Sequence, residues 1–221
     1  KLADEKHESI LVQKLLPALD SGRVTEALAA GGRCMDLGCG EGSAAILIAR
    51  AFPDATVVGV DVSAASIDAA RARATAEGLS NVEFFLADVT EPDLCAAKGW
   101  DSSFDLVTAF DVIHDLPDPT AALATVNMLI KANGCFAMVD IRAGTGLRAN
   151  LGHSMAPFLY TVSLLHCMPQ GMQGGGAGLG MMWGREKACA MLSEAGFAPK
   201  PDVLELDFDT FNDCYLCRKG I

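Results

Sequence analysis

The chain has 221 residues, of which 51% are hydrophobic, and its net charge at pH 7 is −11. This size and composition predict one globular domain with a substantial core, and no apolar run reaches the roughly 20 residues of a membrane-spanning helix. Because clusters of Lys and Arg drive binding to phosphate backbones, 28 acidic against 17 basic residues argue against a nucleic-acid partner and favour a cationic ligand.

The eight cysteines lie mostly within apolar runs, as buried thiols do. Together with the lack of a visible signal peptide, this predicts a cytoplasmic protein. Cys214 and Cys217 form a single CxxC pair in an alternating, strand-like segment, which is a poor setting for a zinc knuckle, so we predict no metal site. Because the sequence starts at Lys1 rather than Met, we expect that it belongs to a longer protein.

Strand-like and helix-like segments alternate along most of the chain. An amphipathic pattern predicts a helix over 5–19, followed by a short helix over 23–30. Apolar runs typical of strands lie near 33–37, 56–60, 82–87, 104–110 and 134–141. Helix-like segments lie between them near 42–51, 63–78 and 119–132, with a shorter one near 91–97. This alternation predicts βαβ units and a doubly wound, mostly parallel sheet.

The C-terminal part departs from this alternation. After a helix over 184–195, strands are predicted over 201–207 and 211–218, and the short link between them permits only antiparallel pairing. The segment 142–183 is too long for an ordinary connection and is predicted to form a cap over a binding site, with a helix near 154–168.

We therefore expect a single α/β domain over 1–221 with a Rossmann-like sheet closed by an antiparallel C-terminal hairpin. Its predicted parts are N-terminal helices over 1–30, a cofactor-binding core over 31–141, a cap over 142–183, and the final helix and hairpin over 184–221.

The stretch DLGCGEG at 36–42 follows the first predicted strand. Its glycines, Gly38, Gly40 and Gly42, would let the backbone turn sharply and approach a ligand before a helix begins. Dinucleotide-binding proteins space these glycines as GxGxxG, whereas the spacing here is GxGxG and Asp36 precedes the first glycine.

Acidic residues also follow the next three predicted strands, namely Asp61, Asp88 and Asp111. The carboxyl ends of parallel strands meet at one edge of the sheet, where such folds bind ligands. We therefore expect these carboxylates to converge on a single crevice.

These motifs together resemble the class I S-adenosylmethionine-dependent methyltransferases. The resemblance rests on DLGCGEG at 36–42, GVDVS at 59–63, ADV at 87–89 and FDLVTAFDVIHDLPDP at 104–119. The segments FLYTVSLLHCM at 158–168 and GLGMMWG at 178–184 look like a subgroup in which an N-terminal winged-helix-like domain precedes the methyltransferase domain.

The resemblance implies that the cofactor is S-adenosyl-L-methionine and that the matching positions bind it. It implies that Asp36 and the three glycines hold the methionine end, with Asp111 bordering it. Asp61 would hold the ribose hydroxyls, and Asp88 would accept from the adenine amino group. The remaining implied contacts are those of Val62 and Val89 beside the adenine.

The methyl acceptor is predicted to be a small molecule under the cap, methylated on oxygen or nitrogen. A hydroxyl acceptor needs a base, and His114 and His166 are the candidates, although either histidine could instead be structural. The side chains expected to line the acceptor site are Tyr160, Ser163, Arg142 and Trp183.

Two other functions remain open from the sequence. One is an NAD-dependent oxidoreductase, which the GxGxG spacing and the lack of a Tyr-x-x-x-Lys pair disfavour. The other is a non-catalytic, cofactor-binding regulatory module. The sequence is also compatible with a homodimer.

Overall fold

The computed structural model of the protein describes residues 10–91, 93–198 and 200–220. The first residues of the helix predicted over 5–19 lie outside this part of the chain. From Leu11 the chain forms a π-helical turn, Leu11–Leu15, which continues as Leu16–Ala18. The following turn, Leu19–Gly22, contains Asp20 and Ser21 in left-handed conformations and leads into helix α1, Arg23–Ala29.

Seven strands form one sheet in the order β3-β2-β1-β4-β5-β7-β6. Their bounds are β1 Arg33–Leu37, β2 Thr56–Asp61, β3 Val82–Leu86, β4 Phe104–Phe110, β5 Ile130–Ile141, β6 Asp202–Glu205 and β7 Asn212–Arg218. The pairings among β1 to β5 are parallel, whereas β7 pairs antiparallel with both β5 and β6. The predicted doubly wound sheet with an antiparallel C-terminal hairpin is confirmed.

The other helices are α2 Ser43–Ala51, α3 Ala64–Ala76, α4 Leu94–Lys98, α5 Pro119–Leu129, α6 Ala156–Val162 and α7 Arg185–Glu194. Two large apolar clusters cover the two faces of the sheet. One contains the buried side chains of α1, α2 and α3, and the other contains those of α4, α5 and α7. Sheets covered on both faces have continuously apolar strands, which is why β1, β2 and β4 read as short apolar runs.

Strand β5 starts earlier than the sequence pattern predicts. Helix α5 ends at Leu129, and Ile130 already pairs with Phe104 before an irregularity shifts the register; the regular ladder resumes where Cys135 pairs with Leu106. Lys131, Asn133 and Gly134 interrupt the apolar pattern between Ile130 and Cys135, so the apolar run in the sequence begins later than the strand does.

The segment 142–183 combines loops with helix α6 and its continuations, Ser163–Cys167 and Met168–Gly171. Its glycine-rich end lies against the loop after β4. The Ala177 N–H donates to the Pro117 carbonyl at 2.9 Å, and the Gly180 N–H donates to the His114 carbonyl at 3.2 Å. No helix among the described residues is both long and apolar enough to span a membrane.

A glycine inside β2 allows close packing on the face of the sheet that α1, α2 and α3 cover. A Cβ at Gly59 would lie 2.5 Å from the buried Phe84 ring and 2.9 Å from Cys39 Sγ. We predict that Gly59→Ala lowers the free energy of unfolding by about 1–3 kcal/mol through overpacking. Chemical denaturation would measure this loss.

The matched control is Gly152→Ala, because Gly152 is exposed and a Cβ there meets no atom within 4 Å. Its effect should stay within about 0.5 kcal/mol. Equal stabilities of the two variants would contradict the packing role of Gly59.

Candidate active site

A cleft of about 570 Å³ opens at the carboxyl ends of the parallel strands. Strand β1 has β2 on one side and β4 on the other, so the chain reverses its direction of progress across the sheet at this point. Ligands in open α/β sheets bind at such switch points. The lining includes the predicted residues Gly38, Asp61, Val62, Asp88, Val89 and Asp111.

The three glycines after β1 have different roles. A Cβ at Gly38 would lie 2.5 Å from the Val112 side chain, and a Cβ at Gly42 would lie 2.7 Å from the Phe84 ring, so packing requires both glycines. Gly40 has a positive φ of 52°, and a Cβ there would meet no atom within 4 Å. Gly40 therefore borders open space, which part of a bound ligand could occupy.

Asp61 fixes the shape of this turn. Its Oδ2 accepts from the Gly40 N–H at 2.9 Å, and its Oδ1 accepts from the Ser63 N–H at 2.8 Å. Because a carboxylate oxygen can accept more than one hydrogen bond, both oxygens keep acceptor capacity toward the cleft. Val62, next in the chain, is 66% exposed and offers an apolar contact there.

The carboxylate of Asp88 lies near the start of the loop after β3. Its Oδ1 accepts from the Thr90 N–H at 2.9 Å and from Thr90 Oγ1 at 2.7 Å. These two bonds orient the exposed carboxylate, while the neighbouring Val89 is buried and lines the cleft. Together, Val62 and Val89 offer apolar surface beside the two polar groups Asp61 and Asp88.

Asp36 lies beneath the cleft rather than in its lining. The carboxylate is buried, accepts from Thr108 Oγ1 at 2.9 Å, and also receives the Ala45 N–H from the first turn of α2. Burial raises the pKa of Asp36 to about 7, and the hydrogen bonds from Thr108 and Ala45 only partly offset this. The charge of Asp61 raises the pKa further.

Asp111 follows β4 in a left-handed conformation, with a φ of 57°. Its Oδ1 accepts from Asn212 Nδ2 at 2.8 Å, which links the loop after β4 to the start of β7. Asn212 is buried and was not identified from the sequence. A single Asn at the start of a hairpin strand gives no sequence signal for this contact.

His114 is buried and does not belong to the cleft lining. Its Nδ1 lies 2.7 Å from Asp140 Oδ1, which also accepts from Trp183 Nε1 at 3.2 Å. Its Nε2 lies 3.4 Å from Asp115 Oδ1, and Asp115 does line the cleft. Burial lowers the pKa of His114, but the charge and hydrogen bond of Asp140 outweigh burial and raise it well above its usual value. Asp140 was missed, although an acid at the end of β5 follows the same pattern as Asp61 and Asp111.

The side chains predicted to contact the acceptor hold the segment 142–183 in place. Ser163 Oγ accepts from the Met181 N–H at 3.0 Å, and the Tyr160 hydroxyl accepts from Asn150 Nδ2 at 3.1 Å. Arg142 pairs with Asp213, with Nε 2.8 Å from Oδ1.

None of Tyr160, Ser163, Arg142 and Trp183 is among the described residues that line the cleft, and Trp183 is buried. The residues of the segment 142–183 that line the cleft are instead Gln170 and Gln173. His166 is exposed, and its Nε2 lies 3.0 Å from Gln170 Nε2.

Comparisons with known proteins agree with this geometry. A family model described as a methyltransferase domain matches residues 28–168, which is more than half of the chain. A ubiquinone biosynthesis O-methyltransferase from Pasteurella multocida is 34% identical over 110 residues, covering 47% of this chain and 44% of that protein. A trans-aconitate 2-methyltransferase from Methylobacterium radiotolerans is 38% identical over 106 residues, covering 47% of this chain and 36% of that protein.

The chain is also similar in structure to an O-methyltransferase family protein from Burkholderia thailandensis. The TM-score is 0.70 at 16% identity, and the match covers 99% of this chain and 57% of that chain. At this identity the likeness shows the fold alone. The sequence matches span less than half the length of either curated relative.

The raised pKa of Asp36 predicts a specific pH dependence of stability. The folded state binds the Asp36 proton more tightly than the unfolded state, in which the pKa is about 4. The stability that this proton contributes is present at low pH and is lost as the pH rises from about 4 to about 7. Relative to Asp36→Asn, the wild type should therefore lose up to about 4 kcal/mol over this range and change little above it.

Urea unfolding of both proteins at a series of pH values from about 5 to about 8 would measure this difference. The other titratable groups near Asp36 are Asp61 and the buried thiols Cys34 and Cys39, and they are the same in both proteins. If the difference between the two proteins stays constant with pH, the pKa of Asp36 is not raised.

Proposed function

The chain belongs to the class I S-adenosylmethionine-dependent methyltransferase family, and from this premise we propose that it methylates an oxygen or nitrogen atom of a small molecule. The observation that carries this proposal is the cleft at the switch point, where three separate strand ends bring Asp61, Asp88 and Asp111 around one cavity. Its volume of about 570 Å³ is within the range of small-molecule sites.

The residues of the cleft fit S-adenosylmethionine. Asp61 would accept from the ribose hydroxyls, since its position is fixed by the Gly40 and Ser63 N–H groups. Asp88 would accept from the adenine amino group, with Val62 and Val89 beside the ring.

The methionine end would lie near Gly38, Gly40 and Asp111, above the buried Asp36. Gly42 would act through packing on Phe84. When bound, the cofactor supplies a methyl group on a cationic sulfonium, and an acidic cleft favours such a cation.

The charge of the lining also restricts the acceptor. Its carboxylates are those of Asp61, Asp88, Asp111, Asp115 and Asp118, and no Lys, Arg or His occurs among its described residues. An anionic acceptor would meet unfavourable potential there, whereas a neutral or cationic one would not. We therefore propose a phenol, an alcohol or an amine rather than a polycarboxylate.

Methyl transfer to such an acceptor depends on placing its nucleophilic atom in line with the methyl group and excluding water. Gln170 and Gln173 supply polar contacts from the segment 142–183. For a hydroxyl acceptor, His166 is the proposed base because it is exposed and adjoins the cleft residue Gln170. Its Nε2, now 3.0 Å from Gln170 Nε2, would exchange this contact for one with the acceptor. His114 is buried, and its Nε2 lies 3.4 Å from Asp115, which lines the cleft, so a role of His114 as base would pass through Asp115.

Several expectations stay predictions. These are the contacts of Tyr160, Ser163, Arg142 and Trp183 with the acceptor, the lack of a nucleic-acid partner, a cytoplasmic location and a homodimer. For these four side chains to contact the acceptor, the segment 142–183 would have to move when the acceptor binds, because their polar groups now form hydrogen bonds elsewhere in the fold.

Cofactor binding can be tested at Gly40. We predict that Gly40→Ala weakens S-adenosylmethionine binding at least about tenfold, because the added methyl group narrows the space above the turn and the left-handed φ strains the turn. Isothermal titration calorimetry would measure the affinity. In thermal unfolding, the cofactor at about 100 times its Kd should stabilise the wild type by about 2.7 kcal/mol, and NAD should not.

The matched control is Gly78→Ala. Gly78 also has a positive φ, 67°, and a Cβ there also meets no atom within 4 Å, but its N–H donates to the Thr75 carbonyl in the last turn of α3, whereas the Gly40 N–H donates to the cleft residue Asp61. Both variants should lose about 1–2 kcal/mol of stability through backbone strain, yet only Gly40→Ala should lose affinity. Stabilisation by NAD alone, or equal cofactor affinities of the two variants, would overturn the proposed cofactor site.

The acceptor class can be tested by S-adenosylhomocysteine release with a panel of phenols, alcohols, amines and polycarboxylates. We predict turnover with neutral or cationic members and none with polycarboxylates. With a hydroxyl acceptor that reacts, His166→Asn should lower kcat by about 10²–10⁴-fold, as expected for loss of a general base.

The control for this variant is His153→Asn. His153 is a half-buried histidine of the same segment, and its Nε2 lies 3.2 Å from the Arg142 carbonyl, whereas His166 adjoins the cleft residue Gln170. Turnover restricted to polycarboxylates would contradict the proposal that the acidic lining selects a neutral or cationic acceptor. An unchanged kcat of His166→Asn would show that His166 is not the base.

A further inference from the structure

Three side chains next to the cleft bring together an imidazole nitrogen, a carboxylate oxygen and a thiol sulfur, which are the atoms that bind zinc in proteins. His114 and Asp115 lie in the loop after β4, and Cys167 comes from the segment 142–183. One ligand atom of each residue lies within 4.8 Å of the other two. The Cys167 thiol also forms a hydrogen bond with His114.

The separation of the nitrogen and the oxygen in this cluster fits a tetrahedral ion. His114 Nε2 and Asp115 Oδ1 are 3.4 Å apart. Two ligands that each lie about 2.0–2.1 Å from a tetrahedral Zn²⁺ are separated by about 3.3–3.4 Å. Cys167 Sγ lies within 4.8 Å of both atoms, so its side chain would have to move for the sulfur to reach the longer Zn–S distance of about 2.3 Å.

One of these atoms has no other partner. Asp115 Oδ1 is buried and makes no hydrogen bond to any described residue. A buried carboxylate oxygen that makes no hydrogen bond is costly, and the His114 ring nitrogen 3.4 Å away offsets this cost only when the ring is protonated. A cation between Asp115 Oδ1 and His114 Nε2 would remove this cost.

The surroundings of His114 are those of a metal ligand. Its Nδ1 lies 2.7 Å from Asp140 Oδ1, and Asp140 is held in turn by Trp183 Nε1 at 3.2 Å. Metal-binding histidines usually donate their second ring N–H to a carboxylate, which fixes the ring and leaves the first nitrogen free for the metal. Asp140 is 1% exposed, so this contact is shielded from water.

We propose that His114, Asp115 and Cys167 bind a Zn²⁺ ion that fastens the segment 142–183 to the loop after β4. A thiolate and an imidazole favour zinc over magnesium or calcium, which prefer oxygen ligands. The fourth position would take a water molecule on the cleft side, since Asp115 lines the cleft. The sequence gives no sign of this site, because Cys167 is distant in the chain from His114 and Asp115 and the three form no spacing motif.

The alternative occupant of this cluster is a proton on His114, which would also supply positive charge next to Asp140 and Asp115. The two differ in their dependence on Cys167, because a zinc site needs its thiolate. A zinc-bound His114 has no nitrogen free to act as a base, so the site would leave that role to His166. The inference does not depend on methyl transfer.

The test is metal binding by protein that has first been treated with a chelator. Equilibrium dialysis should load one Zn²⁺ per chain, and Co²⁺ in its place should give a thiolate-to-cobalt charge-transfer band. Asp140→Asn should weaken Zn²⁺ binding about 10–100-fold through loss of the carboxylate behind His114. Cys167→Ser and Asp115→Asn should weaken it at least as much, and Cys167→Ser should abolish the Co²⁺ band.

The matched control is Cys95→Ser, because Cys95 is as buried as Cys167 but lies outside the cluster. It should bind zinc like the wild type. Asp115→Asn provides the check on folding, since the side chain of Asp115 is 23% exposed and its change is less disruptive than changes to buried residues. The inference is overturned if the wild type binds no metal, if Cys167→Ser keeps the Co²⁺ band, or if Cys95→Ser loses as much affinity as Cys167→Ser.

Discussion

The hydrogen bond from the Gly40 N–H to the Asp61 carboxylate is the interaction on which the cleft depends. It joins the turn after β1 to the end of β2, and the 2.9 Å contact holds the left-handed Gly40 above open space. Gly38 and Gly42 close the turn from beneath by packing against Val112 and Phe84. The proposed cofactor side of the cleft is therefore shaped by the backbone of this turn and by the Asp61 carboxylate.

The same sheet edge concentrates negative charge, and this explains the chemistry of the site. Burial, with a smaller contribution from the charge of Asp61, raises the pKa of Asp36 to about 7, and the buried Asp140 pairs with His114. The exposed carboxylates of Asp88 and Asp111 are solvated or hydrogen-bonded instead. A cationic cofactor reduces the repulsion among these groups, whereas an anionic acceptor would increase it.

The parts of the fold that could be predicted from the sequence are those encoded by local patterns. Apolar runs and turn residues define the parallel strands, and the short link before Phe211 requires an antiparallel hairpin. The partners of His114 could not be predicted, because Asp140, Cys167 and Trp183 come from distant parts of the chain and contact it only through tertiary packing. For the same reason the sequence favoured Tyr160 and Ser163 as acceptor contacts, whereas Gln170 and Gln173 are the residues that reach the cleft.

The segment 142–183 couples these two sides of the site. It carries Cys167 toward His114 and, a few residues later, Gln170 and Gln173 into the cleft lining. Because Gly38, Gly40 and Asp61 belong to the sheet edge, a change in how this segment is fastened would move the proposed acceptor contacts and leave the proposed cofactor contacts in place. Weakening the attachment at Cys167 should therefore alter acceptor KM more than cofactor affinity. The two properties would differ in this way because the two sets of proposed contacts lie on different parts of the fold.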